Sequence, residues 1–181
     1  MTSHSIAEQE DPLNGLPPTD DESDFEGDMT EEEIKMWCST TYDRGSRFRK
    51  PMKEPLTAPW GLPISNADME KIKVGFKSRS MDDKYDLKVE DPDENGNVSL
   101  HIIRNWLQEE CYILHFVPGS GSAEIHSITW EGNKSGLQCD AEQAKKQAII
   151  LARIFLHCDF EALPHHPSSV MWQGYKKLDA E

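Results

Sequence analysis

The first 33 residues contain no lysine and no arginine, although 12 of the acidic side chains fall there. The other 148 residues hold 21 acidic and 19 basic side chains, so the leading segment carries −12 of the net −14 and the body only −2. Long apolar runs are also missing. Ala148 to Ala152 is among the longest, whereas a membrane-spanning helix needs about 20 such residues. Met1 to Asp11 has neither the basic start nor the apolar stretch of a secretory signal, so an intracellular site, cytoplasmic or nuclear, is expected. Cysteine is scarce. Cys38, Cys111, Cys139 and Cys158 are widely spaced and form no Cys-x-x-Cys pair, which excludes a disulfide framework and a cysteine zinc site. They read as reduced thiols, and neither a metal nor a cofactor is expected.

What is present divides the 181 residues into five stretches. Residues 1–29 are acidic and poor in apolar side chains, so burial cannot offset their conformational entropy and a disordered arm is expected. Thr30 and Glu33 form a capping box that opens a short amphipathic helix over 30–41, with Ile34, Trp37 and Cys38 on one stripe. Residues 42–64 read as a basic, proline-containing linker, since Pro51, Pro55, Pro59 and Pro63 forbid a continuous helix. Residues 65–163 read as an α+β domain and 164–181 as a tail.

Inside the domain, Tyr85, Leu87 and Val89 alternate with Asp86, Lys88 and Glu90, which is the period of a strand. Asn95-Gly96 reverses the chain. Val98 to Trp106, Cys111 to Val117 and Glu124 to Trp130 supply three more strands. Asp140 caps a long helix over 141–160 whose Ala144, Ala148, Leu151, Ala152 and Phe155 recur at helical spacing. The expected architecture is a four-stranded antiparallel meander covered by that helix.

Chemistry-bearing residues cluster in Asp82, Asp83 and Lys84 together with Arg104 and Trp106. Arg104 shares the strand parity of Leu100 and Ile102, so its guanidinium must be paired or reach the rim. Two readings follow: an ion pair with Asp82 or Asp83 that fixes register, or a polar pocket with Trp106 as a wall and Arg104 as an anion anchor. No catalytic residue is assigned. Cys111 and His115 share a strand face, but four residues along a strand separate them by roughly 13 Å, too far for proton transfer. The seven histidines lack metal-ligand spacing. Arg44, Arg47, Arg49, Lys50 and Lys53 could contact nucleic acid, but the acidic arm opposes this, so nucleic acid is an unlikely partner.

The run Ser80-Met-Asp-Asp-Lys-Tyr85 followed by Arg104-Asn-Trp106 resembles a group of small microbial proteins sharing Ser-Met-Asp-Asp-Lys-Trp and Arg-Ser-Trp, with fungal forms that add an acidic arm. The resemblance implies a fold unit that stands alone and brings no activity with it. The favoured expectation is a non-enzymatic module that binds a protein partner through Ile34 and Trp37. The alternative is a small enzyme or ligand-binding domain using Asp82, Asp83, Lys84, Arg104 and Trp106 on an anionic or nucleotide-like molecule. A weaker alternative is nucleic-acid association through residues 44–53.

Overall fold

In the computed structural model, residues 29–134, 136–167, 169 and 176–177 are described, so the arm expected over 1–29 lies, up to residue 28, outside the described residues. Alternating side chains build one antiparallel sheet from β1 (Pro55–Ile64), β2 (Tyr85–Glu90), β3 (Val98–Arg104), β4 (Glu109–Pro118) and β5 (Ala123–Glu131). Its strand order is β1-β5-β4-β3-β2. Three helices accompany it, α1 (Glu31–Trp37), α2 (Asn66–Val74) and α3 (Ala141–Leu156), and β6 (Leu137–Gln138) pairs with β7 (Lys176–Lys177).

The class is α+β, but the sheet has five strands rather than the expected four. The additional strand is β1, which falls in the stretch read as linker. An edge strand needs ladder donors on one side only, so Pro55, Pro59 and Pro63 are tolerated there. A bulge also interrupts it, with Trp60 and Gly61 together opposing His126 between the pairs Pro59–Ser127 and Leu62–Ile125. Gly61 takes the left-handed φ of 73° that such a bulge favours.

One sheet face is apolar throughout. Leu87, Ile102, Tyr112 and Trp130 lie side by side across four strands, and Val89, Leu100, Leu114 and Ile128 form the next row. Helix α3 covers these rows through Ala144, Ala148, Ala152 and Leu151, all buried; the alanines allow its backbone close to the sheet. Asp140 caps α3 by accepting from the Gln143 N–H at 2.8 Å. The helix ends at Leu156, short of the expected 160, because His157 turns left-handed at φ 59°. Helix α2 adds Met69 and Ile72 to the same core.

The chain after α3 is clamped rather than loose. Asp68, 2% exposed, accepts from the backbone N–H groups of Asp159 and Phe160 at 2.8 and 2.9 Å. Arg153 donates to the carbonyls of Asp159, Phe160, Leu163 and Pro164.

Residues 38–50 form a strap over the second sheet face. At one end the Val89 N–H donates to the Thr40 carbonyl and the Tyr42 N–H to the Val89 carbonyl. At the other, the Lys50 N–H donates to the Gln108 carbonyl and the Glu110 N–H to the Lys50 carbonyl. Gly75, at φ 66°, closes α2 where this strap meets β2: a Cβ there would stand 2.8 Å from the Leu87 oxygen and 3.0 Å from the Thr40 Cβ. Replacing Asp68 by Ala strands one buried donor, the Phe160 N–H, and one part-buried donor, the Asp159 N–H, and the expected loss of about 2–3 kcal/mol would lower the urea midpoint at unchanged slope. An unchanged midpoint would show that the clamp contributes nothing.

Candidate functional site

Strand parity sets Asp86, Lys88 and Glu90 of β2 beside Ser99 and His101 of β3 and Glu110 and His115 of β4, all on the face away from the core. Antiparallel sheets commonly leave such a face wet. Here the strap covers it, leaving Asp86 0%, Lys88 2% and His101 4% exposed. Each buried charge then needs a partner, because desolvation alone would cost several kcal/mol.

Asp86 has two partners. Burial would raise its carboxyl, but the Ser78 N–H at 2.7 Å and the Lys77 ammonium at 2.9 Å hold it below the usual range. His101 has a carboxylate on each ring nitrogen, Glu110 at Nδ1 and Glu90 at Nε2. Tyr42 of the strap stacks flat on the imidazole, with ring centroids 3.5 Å apart. Burial and the neighbouring Glu110 push its phenol up to about 12. Glu90 is raised by burial but held below its ordinary value by Arg44, at 2.6 Å, and by His101.

Lys88 is less well matched. Its ammonium donates to the Trp37 carbonyl at 3.3 Å. Burial first, then the Arg49 and Lys77 cations, bring it down to about 8. The buried thiols take the opposite course: burial pushes Cys139 up to about 11 and Cys158 up to about 12, which removes the thiolate that nucleophilic chemistry requires.

Of the residues singled out from sequence, Asp82, Asp83 and Lys84 lead into β2, and Arg104 and Trp106 lie at and beyond the end of β3. Asp82 and Asp83 lie in a short 3₁₀ turn, Met81–Asp83, where Asp83 accepts from the Arg79 N–H at 2.7 Å. Lys84 is exposed in the left-handed region at φ 55°, and its carbonyl accepts from the Asn105 N–H. Arg104 is half-buried opposite Tyr85 and Glu109; among the described residues it forms no ion pair with Asp82 or Asp83. The strand ends at Arg104, so Trp106 sits in the following turn instead of on the strand face, 61% exposed.

Trp106 does line a cleft of about 380 Å³ at that end of the sheet. Its other walls include Trp37, Lys77, Arg79 and Asn105, and no carboxylate of the described residues lines it. The Lys77 ammonium stands 4.8 Å from the centre of the Trp37 ring. Trp37 is therefore half-buried, with Phe48 edge-on at 5.6 Å on another side, while Ile34 is 49% exposed. Sequence reading missed Lys77 and Arg79. Their only signal is the alternation Lys77-Ser-Arg-Ser80 just before the aspartates.

The strap's basic side chains serve the chain itself: Arg44 pairs with Glu90, Arg47 with Glu33, and the Arg49 guanidinium lies 4.4 Å from the Tyr42 ring centre. Among the described residues no His, Cys, Asp and Glu group could hold a metal ion, and no helix is long and apolar enough to cross a membrane. Together these features define an α+β domain whose second sheet face is a strapped, charged layer beside a cationic, tryptophan-walled cleft. Comparison with protein-family models, with curated proteins and with solved structures gives no match.

A lysine lowered on folding from 10.5 to about 8 binds fewer protons than the unfolded chain between those values, so stability rises with pH across that window. The Lys88→Met protein is therefore expected to be more stable than the parent at pH 7 in phosphate-free buffer. Its advantage should shrink toward pH 9.5, by at most about 1.4 kcal/mol per pH unit. A pH-independent difference in unfolding free energy would show that Lys88 carries no depressed titration.

Proposed function

We propose that the protein is an intracellular binding or accessory module whose recognition surface is the cleft between Trp37 and Trp106. The observation that carries this reading is the lining: two tryptophans and two cations, one of them Lys77 already compensated by Asp86, with no acid among the described residues that form it. An exposed tryptophan over a preformed concavity is the kind of anchor that dominates protein interfaces. Arg79, exposed and outside any ion pair among the described residues, supplies the charge that selects an acidic partner segment.

This reading moves the docking element from the stripe of Ile34 and Trp37 toward the end of the sheet, keeping Trp37 as one wall. A site built on Asp82, Asp83, Lys84 and Arg104 has less to support it, since none of these four lines the Trp106 cleft. Nucleic-acid association through residues 44–53 is weakened by the internal pairing of Arg44 and Arg47.

The test uses a 12-residue acidic peptide bearing one phenylalanine, titrated against the full chain while tryptophan emission is followed. Binding that weakens at least tenfold in Trp106→Ala and in Arg79→Glu is expected. Equal affinity in both variants, or tighter binding of a single-stranded oligonucleotide than of the peptide, would overturn the reading.

A further inference from the structure

Beneath the strap lies a second pocket, of about 200 Å³, between α1, the turn at 43–48 and the sheet. Lys88 forms part of its floor, and Arg47 and Arg49 come from the strap. Their charge balance is uneven. Arg47 is answered by Glu33 at 3.0 Å, and the Asp43 carboxylate accepts from the Gly45 N–H at 2.9 Å. Lys88 and Arg49, by contrast, form no ion pair among the described residues; Lys88 has a backbone carbonyl only. The Nε and Nη1 atoms of Arg49 are buried and have no hydrogen-bond acceptor among the described residues.

Buried guanidinium donors without acceptors are rare in folded proteins, because each forfeits its hydration for nothing. A second buried cation lining the same cavity adds repulsion to that cost. An oxyanion in the cavity supplies a counter-charge to both cations, Arg49 and Lys88, which line it. The cavity is sized for a small group rather than a chain segment. Glu33 and Asp43 are also part of the lining, but both are already engaged as acceptors by Arg47 and Gly45.

We infer that the pocket bounded by Arg49, Lys88 and Arg47 is a binding site for a small phosphate-type oxyanion, free or carried on a small molecule. The site is separate from the Trp106 cleft, although Trp37 borders both. Occupation would tie α1 and the strap to the sheet through the ligand.

The test titrates the full chain with inorganic phosphate and with sulfate, against sodium chloride at matched ionic strength, by calorimetry and thermal unfolding. Phosphate and sulfate are expected to bind at one site and raise Tm, and chloride to do neither. Arg49→Gln should lose at least tenfold in affinity. So should Lys88→Met, which is expected to fold at least as well as the parent and so keeps the test valid if Arg49→Gln does not fold. Lys73→Gln, on α2, should match the parent. A Tm rise reproduced by chloride, or parental affinity in Lys88→Met, would overturn the inference. Loss of peptide binding in Trp106→Ala with phosphate binding retained would keep the two sites apart.

Discussion

Burial of charge on the second face of the sheet is the constraint on which the rest of the molecule depends. A carboxylate, an ammonium and an imidazole at positions 86, 88 and 101 are enclosed at 0%, 2% and 4% exposure. Enclosure of that kind is tolerable only when the covering segment brings partners with it. Residues 38–50 and their neighbours do so: Lys77 and Ser78 answer Asp86, the Trp37 carbonyl accepts from Lys88, Arg44 answers Glu90, which bonds His101, and Tyr42 covers the imidazole. The sheet and its strap are therefore one electrostatic unit, and α1 is fixed to it through the Trp37 carbonyl and ring.

That unit also places the two cavities. The cleft at the sheet's end exists because Lys77, held by Asp86, stands over Trp37, while the turn after β3 throws Trp106 outward. The pocket under the strap is lined by Arg49 and Lys88, neither in an ion pair among the described residues, while its acids Glu33 and Asp43 accept from Arg47 and Gly45. Both surfaces carry positive character although the chain's net charge is −14. The acidic excess is concentrated before residue 34, and its last member, Glu33, already contacts Arg47.

Much of the fold was legible in the sequence. The alternation of Tyr85 to Glu90, the Asn95-Gly96 reversal and the Asp140 cap each report a local preference that packing then confirms. The capping box at Thr30 and Glu33 forms as its spacing requires. Strand β1 was not legible, because proline density signals interruption locally, and only the position at the sheet's edge makes Pro55, Pro59 and Pro63 acceptable. The strap was illegible for a related reason. Its basic residues look solvated in sequence, and their acidic partners, Glu90 and Glu33, are distant or lie on another element. Parity placed Arg104 on a strand face, yet could not reveal that the strand stops there and leaves Trp106 in a turn.

Amide hydrogen exchange at Tyr42 and Lys50 tests most directly whether residues 38–50 are built into the sheet. Their N–H groups donate to the Val89 and Gln108 carbonyls at 2.8 and 2.9 Å, so exchange slowed by orders of magnitude relative to an unfolded peptide is the predicted result. Exchange at the unfolded-peptide rate, with the amides of β3 and β4 still protected, would contradict the account and return the segment to a solvated linker.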